Sequence, residues 1–205
     1  MTQPLRVGVL ASGSGTNLQA LLDTVHGREA MIVAVGSDKP DARALARARA
    51  AGVPVRVFAV DEHGSREARD AAMADWLAES GAQLVVLAGY MRLLSPAFLR
   101  RFPDRVVNVH PALLPAFPGT GAIAQAVDYG VKVFGVTVHL VDDGVDTGPI
   151  VLQAAVEIPG ATDPDAVHDA LRPLEHRLLP EAVRLFARGA IRRDPVRPRR
   201  VLVDA

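Results

Sequence analysis

Short runs of β-branched and aliphatic residues alternate along this chain with longer stretches in which apolar positions recur every three or four residues. Arg6 to Leu10, Met31 to Val35, Val55 to Val60, Leu84 to Leu87 and Val106 to His110 are apolar at nearly every position, the pattern of strands buried on both faces. Between them, Asn17 to Val25, Ala42 to Ala51, Ser65 to Ser80 and Ser95 to Arg101 carry helical periodicity. Strand–helix alternation on short links predicts parallel strands joined by right-handed crossovers. The fold class expected is therefore α/β, with a doubly wound, mostly parallel, Rossmann-like sheet.

The rhythm changes after His110. Val133 to Leu140 and Pro149 to Val156 are strand runs separated only by the loop Val141 to Gly148, which predicts an antiparallel pair. A last helix is expected from Thr162 or Asp163, with Pro164 in its first turn, towards Gly189. Pro173 and Pro180 fall inside it and are expected to bend or break it. One domain is thus expected over residues 1–190, followed by a basic, solvated tail over 191–205 that contains Arg192, Arg193, Arg197, Arg199 and Arg200.

Composition narrows the partners. The 23 basic and 23 acidic residues balance, so no general attraction to nucleic acid or to acidic membranes is expected, and no aromatic residues interleave the late arginines as stacking on single strands requires. The chain has no cysteine, which removes disulfides, thiolate nucleophiles and cysteine metal sites, and which suits the cytoplasm. Its first residues lack the apolar core of a signal peptide, and no run approaches the roughly 20 apolar residues of a membrane span.

Two regions carry candidate chemistry. The loop Ala11 to Asn17 follows the first strand and opens a helix. Its Gly13, Ser14, Gly15, Thr16 and Asn17 bring backbone amides, hydroxyls and a helix N-terminus to where an anion would lie. It is neither a complete GxGxxG nor GxxxxGK[ST], and lacks the lysine of a triphosphate site; a monophosphate cradle and an ordinary tight turn both stay open. The second region is Asn108-Val109-His110-Pro111 at the end of the fifth strand. Alternation places Asn108 and His110 on one face about 6–7 Å apart, at the carboxyl edge where open α/β sheets bind ligands. A carboxylate beside His110 would orient the ring, and Asp146 is the expected partner, from a loop that also holds Asp142 and Asp143. Donors from Asn108 and His110 would then face an oxyanion on a tetrahedral carbon, as direct acyl transfer needs. A hydrogen-bonded core histidine and a hard cation on the aspartate loop are the competing readings.

The segments ASGSGTNLQALL, SREARD, VVLAGYMRLLSP, VNVHPALLPAFPG, GVTVHLVDDGVDTGPIVLQ and LEHRLLP, in that order, resemble the phosphoribosylglycinamide formyltransferase family from about Arg6 to Pro180. The resemblance implies a co-substrate, 10-formyltetrahydrofolate, an acceptor amine on a ribosyl monophosphate, and no required metal. It implies that Asn108, His110 and Asp146 are the catalytic trio, and that Gly13, Ser14, Gly15, Thr16, Asn17 and Glu175 hold the acceptor. It places Arg66, Met91, Arg92, Leu93, Leu94, Val141 and Asp142 around the folate, beside Asn108 and Asp146. Small molecules are the implied partners, with a homodimer left open. The chain departs from the family in Gly119 to Gln125, where histidines often follow the proline–glycine and where Gly121 and Ile123 stand instead. Formyl transfer to a methionyl-tRNA, to an amino-sugar nucleotide or to water, and a non-catalytic phosphometabolite-binding module, are the alternatives. The tRNA and water reactions are expected to need further domains, for which 205 residues leave no room.

Overall fold

The computed structural model describes residues 3–204. Five parallel strands come first in the chain: β1 (Leu5–Leu10), β2 (Ala30–Ser37), β3 (Val55–Val57), β4 (Leu84–Leu87) and β5 (Val106–His110). Two antiparallel strands, β6 (Val133–Leu140) and β7 (Ile150–Glu157), complete a seven-stranded sheet of order β3-β2-β1-β4-β5-β6-β7. The chain winds outward from β1 to β3, then returns to β4 on the other side of β1. This reversal opens a crevice at the carboxyl ends of β1 and β4, where such sheets take ligands.

Helices α1 (Thr16–Thr24), α2 (Arg43–Ala50), α5 (Ala122–Tyr129) and α6 (Pro164–Ala187) cover one face, and α3 (Arg66–Glu79) and α4 (Pro96–Arg101) cover the other. Strand β1 shows why its run is continuously apolar: Val7 and Val9 enter the first core and Leu10 the second, all fully buried. Gly8 allows α3 to approach, since a Cβ there would lie 2.7 Å from Leu77. The expected helix starts are capped as their sequences require: Ser65 accepts from the Ala68 amide, Ser95 from that of Phe98 and Asp163 from that of Asp165. No helix among the described residues is long and apolar enough to cross a membrane.

The structure departs from the sequence pattern in four places. Strand β3 ends at Val57, and Val60–Glu62 form a 3-10 turn. Helix α5 forms where the pattern gives no element; it starts from Gly121, whose φ of 72° suits glycine, and stops at Gly130 with φ 82°. Helix α6 runs past Pro173 and Pro180 without the break that was one of the two expected outcomes. An interior proline costs about 3 kcal/mol. Against this, Val167, Leu171, Leu178, Leu179, Val183, Leu185 and Phe186 are all buried along the same helix, each contributing about 1.5–3 kcal/mol. Packing wins. Finally, the basic C-terminal stretch is folded rather than trailing: β8 (Ile191–Arg193) and β9 (Val201–Val203) pair antiparallel. Arg193 reaches Asp104 at 2.7 Å, and Arg199 donates to the Thr147 carbonyl at 2.9 Å.

Candidate active site

The loop after β1 turns into α1 through Gly15, which has φ 73° and no side-chain cap, in contrast to α3, α4 and α6. A Cβ on Gly15 would sit 2.6 Å from the Ala44 Cα, so glycine is required twice over, for conformation and for space. The first amides of α1 have no partner within the helix and face the crevice with its positive dipole end. The loop backbone is held from behind: Ala44 N–H donates to the Gly13 carbonyl at 3.1 Å and Arg47 Nε to the Ser14 carbonyl at 2.9 Å. Asn17 Nδ2 donates to Glu175 Oε2 at 3.0 Å, which ties α1 to α6, while the buried Asn17 Oδ1 has no protein partner. Gly13 to Asn17, Glu175, Met91, Val109 and Pro111 line one cavity of about 460 Å³. Gly121, Ala122 and Ile123 line it too, so the segment that departs from the family pattern forms part of its wall.

The expected trio comes together beside that cavity. Asn108 and His110 lie two apart on β5, and Asp146 returns from the loop after β6. His110 Nδ1 lies 3.3 Å from Asp146 Oδ2, and Asn108 Nδ2 donates to Asp146 Oδ1 at 3.3 Å. His110 Nε2 donates to the Phe117 carbonyl at 2.8 Å. Since a carbonyl only accepts, His110 Nε2 carries the proton of its bond to Phe117, which leaves Nδ1 facing the Asp146 carboxylate. Burial pushes the Asp146 carboxyl up. Hydrogen bonds from His139 and the Gly119 amide, with the nearby His110, outweigh burial and hold it below its ordinary value. Asp146 and Phe117 both adopt positive φ, 52° and 53°, uncommon for residues with side chains. Each places a group on His110 in doing so, the kind of local strain that accompanies function.

One expectation changes. The Asn108 amide was expected to aim its donors at an oxyanion, but Nδ2 donates to Asp146 and lies against His139 Nε2, each at 3.3 Å. These are long contacts, of the kind that shorten or exchange when a substrate enters. Sequence reasoning also gave His139 no part in this cluster. It lies opposite Asn108 in the β5–β6 register, donates Nδ1–H to the Leu140 carbonyl at 2.8 Å, and brings Nε2 to 3.4 Å from Asp146. Its signal was polar Thr137 and His139, two apart in an otherwise apolar strand. Thr137 is the scaffold for the turn after His110: its hydroxyl donates to the Ala112 carbonyl and accepts from the Leu114 amide, while Gln153 donates to both Thr137 and the Leu114 carbonyl.

The residues expected around the folate divide. Met91 and Leu93 are 62% and 56% exposed at the crevice mouth, an apolar slot without protein cover. Arg66, Arg92 and Leu93 line a smaller cavity of about 220 Å³ with Val60, Ser65 and Arg69. Arg66 pairs with the exposed Glu67 at 3.4 Å, whereas Arg92 is paired with buried Asp38 at 2.9 Å. Leu94 and Val141 instead pack, half-buried, against the core under α3 and α4. Asp142 Oδ1 accepts from the Gly144 amide and the Thr147 hydroxyl, and so shapes the loop that presents Asp146. Arg69, unremarked in the sequence, is buried and holds Asp70 at 2.8 Å. No group of three His, Asp or Glu side chains suited to a metal ion occurs among the described residues.

Comparison with known proteins places this geometry. A family model described as formyl transferase matches residues 5–183. The phosphoribosylglycinamide formyltransferase of Mycobacterium tuberculosis is 49% identical over 185 residues, covering 90% of this chain and 86% of that protein. The trifunctional purine biosynthetic protein adenosine-3 of Drosophila melanogaster is 43% identical over 90% of this chain, which matches 14% of that longer protein. The solved glycinamide ribonucleotide transformylase 1 of Symbiobacterium toebii superposes with a TM-score of 0.93 at 46% identity, covering 98% of this chain and 95% of its own.

Proposed function

Because this chain belongs to the formyl transferase family, we propose that its crevice transfers the formyl group of 10-formyltetrahydrofolate to the amine of glycinamide ribonucleotide, giving formylglycinamide ribonucleotide and tetrahydrofolate. The observation that carries this reading is the convergence of Asn108, His110 and His139 on Asp146, each within 3.4 Å, at the end of β5, where Val109 and Pro111 line a cavity shared with an uncapped, glycine-rich helix start. The acceptor phosphate lies on the Gly13 to Asn17 amides, where the helix dipole favours an anion. Glu175 and the unpartnered Asn17 Oδ1 offer acceptors to the donor groups of the same substrate. Met91 and Leu93 take the flat heterocycle of the folate, and Arg66 and Arg92 its carboxylate tail.

Within that frame the acceptor nitrogen attacks the formyl carbon. A C–N bond forms, the carbonyl oxygen becomes an oxyanion, and the C–N bond to the folate then breaks. His110 donates to the oxyanion as its ring nitrogen exchanges the Phe117 carbonyl for the substrate oxygen, aided by Asn108 as its long contact to Asp146 yields. Asp146, ionised at rest, accepts the proton released by the amine through water, and that proton is passed on to the folate nitrogen as it leaves, which returns Asp146 to its ionised form. No covalent enzyme intermediate and no resident metal enter, and the setting proposed is the cytoplasm.

Three substitutions test the assignment. Asn108→Ala, His110→Ala and Asp146→Ala should each lower kcat by about 10²-fold or more, as loss of an oxyanion donor or a proton-transfer group does elsewhere. Folded variants with near wild-type turnover would sink it.

A further inference from the structure

Between the two substrate regions stands a carboxylate that belongs to neither. Asp38 follows β2, and its side chain is fully withdrawn from solvent. Its Oδ1 accepts from the Ser12 hydroxyl and its Oδ2 from Arg92 Nε at 2.9 Å. The Ser12 oxygen, having donated to Asp38, accepts from the Met91 amide at 2.9 Å, and the Ser12 amide donates to the Gly89 carbonyl at 3.0 Å. One carboxylate and one hydroxyl thereby join the loops after β1, β2 and β4. Ser12 and Met91 line the larger cavity, and Arg92 lines the smaller.

Resting on the formyl-transfer reading of these two cavities, we propose that Asp38 is a positioning residue that couples them, so that occupancy of either substrate region tightens binding at the other. Burial pushes the Asp38 carboxyl up, but hydrogen bonds from Ser12 and Arg92 outweigh it and hold the carboxyl below its ordinary value, so the network is built around the charged form. A buried, ionised carboxylate held by charge-assisted bonds cannot shift without disturbing both partners. When a carboxylate ligand fixes Arg92, it fixes Asp38 and, through it, Ser12 and the start of the phosphate loop. The second ligand then meets a loop already ordered, and the gain is reciprocal.

The test is calorimetric titration of the full-length protein with glycinamide ribonucleotide, alone and with saturating tetrahydrofolate, and the reverse pair. Tetrahydrofolate carries no formyl group, so the two do not react. In the wild type each should tighten the other about fivefold or more, the lower end of ordinary site coupling. Asp38→Asn, nearly isosteric but uncharged, should reduce that factor to about twofold or less. Ser12→Ala, which leaves the Asp38–Arg92 pair in place, should do the same, and the double variant should lose no more than either single one. A merely structural role would weaken each ligand alone and leave the coupling factor unmoved. A wild type without coupling, or an undiminished factor in both variants, overturns the proposal; if Asp38→Asn does not fold, Ser12→Ala decides it. Failure of both ligands to bind the wild type overturns the formyl-transfer reading and the coupling with it.

Discussion

At Asp146 four groups meet two oxygens: Asn108 and His139 approach Oδ1, and the Gly119 amide and His110 approach Oδ2. The pairing with His110 could be read from the chain because a histidine at a strand's carboxyl end needs an orienting acceptor, and the aspartate loop was the nearest supply. His139 could not be read in the same way. Within Val133–Leu140 it looks like one polar interruption of a buried strand, and only the antiparallel register sets it opposite Asn108. Because Asp146 has a lowered pKa, its stabilising contribution is fully present above the unfolded carboxyl value of about 3.9 and is lost as pH falls through the lower folded value. Asp146→Asn should therefore be less stable than the wild type at pH 7, and the gap should narrow below about pH 4, as thermal unfolding across that range would show. A gap that stays constant down to pH 2 would contradict the charge assignment.

Among the elements, strands β1 to β5 and helices α1 to α4 were legible because each buried strand is a continuous apolar run and the helices between them keep a helical period. Helix α5 was not: prolines and glycines from Pro111 to Gly121 dominate the local pattern, and the helix begins only where Gly121 takes a left-handed conformation. Pro173 and Pro180 do not break α6, because local cost is outweighed by the buried face of the helix. The C-terminal ribbon escaped for a third reason: its strands are three residues each, and its arginines read as solvated charge. Its contacts give it a mechanical part, since Arg193 holds the turn before β5 at Asp104 and Arg199 holds Thr147, next to Asp146. Arg199→Ala should lower kcat on the order of threefold through displaced Asp146 geometry, with stability changed by less than about 0.5 kcal/mol as at other surface sites. Arg197→Ala, in the same ribbon but without a bond from its side chain to that loop, should leave turnover unchanged. Equal kinetics for the two variants would remove the ribbon from the account.

Across the whole molecule, the sheet order brings the residues proposed for the reaction to one edge. The reversal between β1 and β4 opens the crevice; in the function proposed, the loop after β1 is its anion end, the loop after β4 its apolar mouth, and the end of β5 with the Asp146 loop the reacting centre. Sequence reasoning reached this layout because the strand–helix rhythm dictates it, and the motifs carrying the family resemblance lie at these strand ends. It did not reach the buried Asp38, which follows a strand on a short polar turn and whose role depends on side chains from two other loops. The central claim is that the crevice moves a formyl group to an amine rather than to water. It is tested most directly by following the folate absorbance change on mixing the protein with 10-formyltetrahydrofolate, with and without glycinamide ribonucleotide. The account predicts turnover that depends on the acceptor, with one formylglycinamide ribonucleotide formed per tetrahydrofolate; release of tetrahydrofolate and formate at the same rate without the acceptor would contradict it.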